Sequence, residues 1–293
     1  MYRRPVSLLG SRVLQSAATS VRVAITLLLP ISNTAPDAAF GYERRVKMVK
    51  NMNETKKVLH FPTVAQPNIE DALSQFLKDQ QKRLKTRTFN RYEEVIDLLR
   101  HCLNGHGYHE LDNSSEVALY EKLYFQKNLE FCSIFGPEKV LSSLANFLNY
   151  FMIRKVMASE ALLQAAGIVT KKLVKWLEEN RFIGSDMADR GMRLAAEAAR
   201  ELPAAERLAR LLYEYAQSHA PRYWTSELDD YFIIDQIHPG ILILSGAAGS
   251  GIVEVRVPRE ITEHCRKGWQ VNLLLGKTRN GWCILETGNV YPN

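Results

Sequence analysis

The sequence predicts an α+β protein in which an all-helical region is followed by a small five-stranded β-barrel. Between residues 69 and 218, apolar side chains recur every three or four positions, which is the period of amphipathic helices. From residue 230 onward, five short runs rich in β-branched and aromatic residues are separated by glycine-containing turns, as in a small all-β domain. With 293 residues, of which 46% are hydrophobic, the chain is long enough to form two cores.

Residues 1–51 are expected to lie outside the folded domains. Residues 1–50 contain eight Lys/Arg and two Asp/Glu, so this segment carries the whole net charge of +6 and the rest of the chain is neutral. Three interpretations stay open: a transit peptide, a signal peptide, or an upstream start before the true Met48 or Met52, which we favour. The apolar run at 23–31 is shorter than the roughly 20 residues that span a bilayer, so no membrane contact is predicted.

The cysteines predict free thiols and a cytoplasmic location, because none of them belongs to a Cys-x-x-Cys pair. The four positions are Cys102, Cys132, Cys265 and Cys283. Three histidines, His101, His106 and His109, stand close to Cys102, but their spacing is not a recognised ligand pattern. The sequence therefore predicts no metal and no other cofactor, and a solvated helix end accounts for the histidines.

Four helices are predicted within residues 69–157. The first begins at Ile69, and the second ends near Gly105. The third opens at Ser114, which is a suitable capping residue. Pro137 starts the fourth, because proline at the first helical position costs no hydrogen bond.

Two segments in this region carry a family resemblance. They are the basic stretch KDQQKRLKTRTFNRYEEVIDLLRHCL and the apolar stretch LSSLANFLNYFMIRKVM. With Thr88–Tyr92 at a helix opening and Phe147–Phe151 in an aromatic-rich last helix, residues 69–157 resemble the SAM-like amino-terminal, core-binding domain of phage integrases (tyrosine recombinases). The resemblance implies DNA binding. It does not imply strand exchange, because the remaining chain is too short for the catalytic domain of that family and divides differently.

A basic cluster between the first two predicted helices supports contact with DNA. Residues 78–91 contain six Lys/Arg and a single acidic residue, Asp79. Cations that neutralise phosphates release counterions and bind DNA without sequence preference. The candidate DNA-binding residues of this cluster are Lys82, Arg83, Lys85, Arg87 and Arg91. The alternative is an ordinary solvated helix end with its linker.

Residues 158–218 are predicted to begin with a helix-turn-helix. In SEALLQAAGIVTKKLVKWLEENRFI, Gly167 stands where the turn needs a positive φ, and Thr170 is placed to cap the second helix. The DNA-facing candidates on that second helix are Lys171, Lys172 and Lys175. An ordinary helical hairpin fits the same pattern. Two alanine-rich helices, separated at Pro203, and a linker at 219–229 are predicted to follow.

Residues 230–293 are predicted to form a half-open barrel that is SH3-like in scale. The glycine-rich segment from Gly246 to Gly251 looks like a nucleotide-binding loop, but a strand pattern follows it instead of the helix that would hold phosphates. It is therefore predicted to be a hairpin turn. A second hairpin is predicted at Asn280-Gly281, and a short helical crossover at 258–267.

Aromatic residues of the barrel are candidates for binding a partner. Trp282 and Tyr291 are predicted to line a groove for a protein partner, whereas Trp269 is assigned to the core. Acidic residues are at least as frequent as basic ones in this part of the chain, so the sequence does not predict a nucleic-acid patch on the barrel.

The sequence predicts a non-catalytic DNA-binding protein, because no catalytic motif survives inspection. The helical domain would contact phosphates and the barrel would recruit a partner. The alternative is a protein–protein adaptor with a helical scaffold and a peptide-binding barrel, and a minor hypothesis is an enzyme site built from distant residues. If the two basic clusters share one face, DNA is favoured; if they are separated or neutralised by acids, the adaptor is favoured.

Overall fold

The structure is a computed structural model that describes residues 63–247, 249 and 251–292. Residues 1–51, for which the sequence leaves three interpretations open, lie outside the described residues. The helices are α1 Ile69–Gln81, α2 Thr86–His106, α3 Ser114–Lys127, α4 Phe131–Ile134, α5 Leu144–Asn146, α6 Met152–Arg154, α7 Glu160–Glu179, α8 Ser185–His219 and α9 Arg259–His264. The strands are β1 Glu227–His238, β2 Ile241–Gly246, β3 Ile252–Arg256, β4 Gln270–Thr278 and β5 Gly281–Tyr291. The predicted α+β class, with helices before a five-stranded barrel, is confirmed.

Helices α1 and α3 begin at capping residues that the sequence supplies. Asn68 accepts from the amide of Asp71, whose carboxylate accepts from the Asn68 amide in return, which forms a capping box at α1. Asn113 caps α3 by accepting from the amide of Ser115, and Asn128 ends that helix in a left-handed conformation with φ of 52°. These local bonds fix where α1 and α3 begin.

The predicted fourth helix is broken into several short turns, so the prediction of one continuous helix was wrong. A 3₁₀ turn at Pro137–Val140 follows Gly136, and a π-helical turn at Phe147–Phe151 separates α5 from α6. Four bulky side chains in and beside the π turn are buried: Phe147, Leu148, Phe151 and Met152. Burial of so many large side chains in one short segment outweighs the regular α-helical hydrogen-bond pattern.

The predicted helix-turn-helix is absent, because α7 runs without interruption from Glu160 to Glu179. Gly167 lies in the middle of this helix, and its role is close packing: a Cβ placed on it would lie 2.4 Å from the backbone nitrogen of Ala199 on α8. Thr170 is buried inside α7 and caps nothing. A helix-packing glycine has the same sequence signature as a turn glycine, which explains the error.

The two predicted alanine-rich helices are one helix of 35 residues, α8, with Pro203 in its interior. An interior proline removes a hydrogen bond and costs about 3 kcal/mol in an isolated helix. Here each half of α8 is held by a different core: Ala195 and Leu202 pack with the other helices, whereas Leu208 and Leu212 pack inside the barrel core. Burial on both sides of the proline therefore keeps the helix continuous.

The barrel is closed, which corrects the predicted half-open form. Its strands follow the order β1-β2-β3-β5-β4, β4 returns to pair with β1, and a parallel bridge between Val255 and Trp282 joins β3 to β5. The glycine-rich segment is the antiparallel hairpin between β2 and β3, as predicted. The helical crossover is also confirmed, as α9, and Trp269 is buried in the barrel core.

Helix α8 and polar contacts from α6 and α8 attach the barrel to the helical domain. Glu201 pairs with Arg266, just beyond α9, and Arg154 donates to the hydroxyl of Tyr231 on β1 at 3.2 Å. The helices that the structure describes include none with the length and apolar character needed to cross a bilayer. The two cores are therefore joined by one continuous helix and by polar contacts between the domains.

Candidate nucleic-acid interface

Half of the predicted DNA-binding cations bond a side chain three or four residues away along the chain. Lys82 pairs with Asp79 at 3.0 Å, Arg91 pairs with Glu94 at 2.6 Å, and the Lys175 amino group lies 3.6 Å from a Glu179 oxygen. Arg83 donates to the side-chain oxygen of Gln80 and so keeps an uncompensated charge. These exposed pairs are weak, but they reduce the positive charge that the helical domain offers to a polyanion.

The other four predicted cations form no ion pair within the part of the chain that the structure describes: Lys85, Arg87, Lys171 and Lys172. The two basic clusters lie on neighbouring elements, because Asp79 accepts from Lys82 and also from the indole nitrogen of Trp176 on α7 at 3.2 Å. These two bonds hold the pKa of the Asp79 carboxyl below its usual range, first through Lys82 and then through Trp176. The clusters are thus adjacent and partly neutralised, so neither sequence hypothesis is excluded.

The histidines near Cys102 have local roles. His101 bonds the carbonyl oxygen of Asp97 at 2.7 Å, and the ring of His109 packs on Tyr108. Cys102 itself is buried, which raises the pKa of its thiol to about 12. In the described ranges, no three His, Cys, Asp or Glu side chains are grouped as metal ligands would be.

Trp282 and Tyr291 do not line a common groove, which corrects the predicted partner site. Trp282 is at the start of β5 and Tyr291 is its last residue, so a strand rise of about 3.3 Å per residue places them roughly 30 Å apart. Tyr291 faces the helical domain, where its ring lies 6.1 Å from that of Tyr231 and its hydroxyl contacts Arg154. It belongs to the contact between the domains.

Trp282 instead belongs to a cluster of aromatic and basic side chains around the β4–β5 hairpin, here called the hairpin surface. Its members are Arg222, Tyr223, Trp224, Arg256, Lys277, Arg279 and Trp282. A cleft of about 570 Å³ lies between the hairpin and residues 221–225, and a second of about 240 Å³ lies between the hairpin and β3. Lys277 and Asn280 line both clefts, so the two form one surface on either side of the hairpin.

Backbone geometry fixes this arrangement. The hairpin turn consists of Arg279 and Asn280, and Gly281 closes it with φ of +113°, a conformation that favours glycine. The connection from α8 is tied alongside, because the amide of Thr225 donates to the carbonyl of Lys277 at 2.9 Å and the Lys277 amide donates to the Ser226 carbonyl at 2.8 Å. The exposed rings before β1 are thereby held next to the hairpin.

The rings of the hairpin surface are accessible to a ligand. Tyr223 is 88% exposed and Trp224 is 41% exposed. The Trp224 indole donates to Glu227 at 2.7 Å, which fixes the orientation of its ring. The amino group of Lys277 lies over the ring of Trp282, 4.9 Å from its centroid, which is a cation–π contact. The ring of Trp282 thus holds the amino group of Lys277 in place on this surface.

The charge of the hairpin surface is positive although the barrel as a whole is not. Residues 227–293 contain six Lys/Arg and eight Asp/Glu. Arg256 has a loose contact with Glu254 at 3.7 Å, whereas Arg222, Lys277 and Arg279 pair with no carboxylate of the described chain. The net charge of residues 227–293 does not predict this basic patch. The sequences PRYW and KTRNGW, in which basic and aromatic residues stand together, do indicate it.

His219 and Arg222, which stand at the spacing His-x-x-Arg, lie on the edge of this surface. His219 ends α8 with its ring stacked on Tyr215 at 4.6 Å, and Arg222 lies in the connection to the barrel, where it lines the larger cleft. His219 therefore belongs to the end of a helix and Arg222 to the segment that follows it. Arg222 adds a cation to the hairpin surface.

Comparison of the chain with protein-family models, with curated proteins and with solved structures finds no match. The resemblance to integrase core-binding domains stays a prediction.

Proposed function

We propose that this chain is a non-catalytic nucleic-acid-binding protein whose hairpin surface binds a single strand. One observation carries the proposal: exposed aromatic rings and unpaired cations are brought together at one end of the barrel from separate parts of the sequence. Single-stranded nucleic acid needs this combination, because cations follow its phosphates and aromatic faces stack on its unpaired bases.

The division of roles follows from geometry. Tyr223 and Trp224 present ring faces for bases, and Arg222, Lys277 and Arg279 offer charge to the phosphates on either side. Trp282 has one face occupied by Lys277 and acts mainly by holding that cation in place. Clefts on both sides of the hairpin leave room for a chain that crosses it.

The strand order of the barrel supports the same function by analogy. The order β1-β2-β3-β5-β4, with a helix between β3 and β4, is that of the oligonucleotide/oligosaccharide-binding fold, whose β1–β2 and β4–β5 loops flank the ligand. The hairpin surface includes the β4–β5 loop. This order favours that fold over the SH3-like identity predicted from sequence, and fold alone does not establish function.

The helical domain would add contacts with phosphates through Lys85, Arg87, Lys171 and Lys172. Because α7 is a single helix, we do not propose that Lys171, Lys172 and Lys175 enter a DNA groove as a recognition helix would. Binding by these cations would be independent of sequence and sensitive to salt.

The test is fluorescence anisotropy of the full chain with a labelled single strand of about 15 nucleotides and with a hairpin duplex of the same composition, over a salt series. We expect the single strand to bind more tightly. Changing Arg279 or Lys277 to Ala should flatten the slope of log K against log salt by about 0.7 for each lost phosphate contact. Lys267→Ala, which removes an exposed cation outside the hairpin surface, is the matched control.

The rings are tested separately. Tyr223→Ala should weaken single-strand binding about tenfold, since stacking of one base contributes about 1–3 kcal/mol. Tyr213→Ala removes a tyrosine that is 55% exposed on α8 and should change nothing. Absence of binding at about 50 mM salt would refute the proposal and leave the peptide-binding adaptor as the hypothesis to pursue.

A further inference from the structure

Helix α3 packs one face, which includes Val117, Tyr120 and Leu123, against the helical core and leaves the rest of its surface exposed. Among its residues only Leu123 is buried. Tyr124 is 43% exposed and Phe125 is 81% exposed. A helix of this length is marginal in water unless tertiary packing supports one of its faces. The ion pair between Glu116 and Lys139, at 2.7 Å, is a further contact that holds it to the domain.

Four exposed residues form a stripe on the side of α3 away from Leu123: Ala118, Glu121, Lys122 and Phe125. They stand at positions i, i+3, i+4 and i+7, which places them on one helical face. Glu121 and Lys122 form no ion pair with any residue that the structure describes. The stripe therefore combines one large apolar side chain, one small one and two opposite free charges.

This stripe is complementary to itself. When two copies of α3 pack antiparallel about a twofold axis between positions 121 and 122, Phe125 of each copy meets Ala118 of the other. Glu121 of each copy then meets Lys122 of the other. A large side chain faces a small one and each charge faces its opposite, as an isologous interface requires.

We propose that the exposed face of α3 binds a second copy of this chain through an antiparallel α3 pair. The interface is limited to one short helix from each copy, so it falls in the class below about 1,200 Å² that supports weak, reversible association. Dimerisation would place two hairpin surfaces in one particle. The inference does not rest on the proposed nucleic-acid binding.

Sedimentation velocity of the full chain without nucleic acid tests this, from about 5 to about 500 µM, the range in which weak interfaces dissociate. We expect the wild type to pass from monomer to dimer. Glu121→Lys and Lys122→Glu should each remain monomeric, because each variant places like charges opposite one another. An equimolar mixture of the two should form a dimer again, since all four charges are then complementary.

Glu93→Lys is the matched control, because Glu93 is an exposed glutamate on α2 without an ion pair among the described residues. It should dimerise as the wild type does. All variants change exposed side chains, and circular dichroism verifies that they fold. A wild type that stays monomeric over the whole range overturns the proposal. A dimer that survives both single charge reversals, or a mixture that fails to associate, overturns it as well.

Discussion

Gly167 on α7 lies against the backbone of Ala199 on α8, with no space between the helices for a side chain. A Cβ at position 167 would lie 2.4 Å from the Ala199 nitrogen and 2.7 Å from the Ala195 carbonyl oxygen. Gly167→Ala is expected to lower the free energy of unfolding by about 1–3 kcal/mol, because backbone atoms on both sides have to move apart. Urea unfolding followed by circular dichroism measures this.

Gly105 gives the opposite prediction and serves as the comparison. It also lies within a helix, α2, but a Cβ there would meet no atom within 4 Å. Gly105→Ala is expected to stabilise the protein by about 0.5–1 kcal/mol, because alanine restricts the unfolded chain more than glycine does. If both substitutions destabilise equally, close packing is not what distinguishes Gly167.

The ion pairs of Glu160 predict that the stability of the protein decreases at acidic pH. It accepts from Arg207 at 2.8 Å and from Arg210 at 3.0 Å, and the hydrogen bond from Arg207 is the main cause that holds the pKa of its carboxyl below the usual value. A depressed carboxyl pKa stabilises the fold above the unfolded-state pKa, and this stability is lost as the pH falls through the folded-state pKa.

Glu160→Gln is therefore expected to destabilise the protein at neutral pH by up to about 1 kcal/mol, as for other partly exposed ion pairs. The difference from wild type should disappear well below about pH 4, where Glu160 is protonated in both states. Denaturant midpoints at several pH values measure it. Glu93→Gln should show no such dependence, and an effect of Glu160→Gln that persists at low pH would rule out the ion pairs as its cause.

The four cysteines should differ sharply in reactivity. Cys102, Cys132 and Cys265 are buried, and burial raises the pKa of each thiol, to about 12 for Cys102 and Cys265. Cys283 is partly exposed in the larger cleft of the hairpin surface. Brief alkylation of the native protein should therefore label Cys283 first.

Mass spectrometry of the alkylated peptides measures this order. Cys283→Ser should remove the fast phase and leave the other three cysteines unmodified until the protein unfolds. A bound single strand should slow the labelling of Cys283, since this residue lines the cleft in which we place it. Rapid labelling of Cys102 would contradict its burial.

The sequence predicted most strands and turns but not the long helices or the site. Asn280-Gly281 and the strand pattern after Gly251 are local signals, and the hairpins there were correctly predicted. Gly167 and Pro203 are local signals too, but tertiary packing overrides them, so both α7 and α8 are longer than predicted. Local preference decides a structure only where burial does not oppose it.

The hairpin surface escaped prediction for a different reason. Its residues come from the connection before β1, from the end of β3 and from the β4–β5 turn, up to about 60 positions apart along the chain. The net charge of a segment does not show where its charged residues lie, whereas strand pairing brings particular basic residues together on one surface. Trp282 lies on this surface, whereas Tyr291 lies at the other end of β5, a separation that follows from the length of the strand.

The single helix α8 also governs how the molecule comes apart. Its first half completes the helical core and its second half completes the barrel core, so neither core is whole without residues from the same uninterrupted helix. A cut at residue 230 would remove Ala205, Leu208, Leu212 and Ala216 from the barrel core, whereas a cut near Pro203 would leave each core with its own half of the helix. The barrel is consequently not a module that can be excised at residue 230, and the two halves are expected to melt in one cooperative transition.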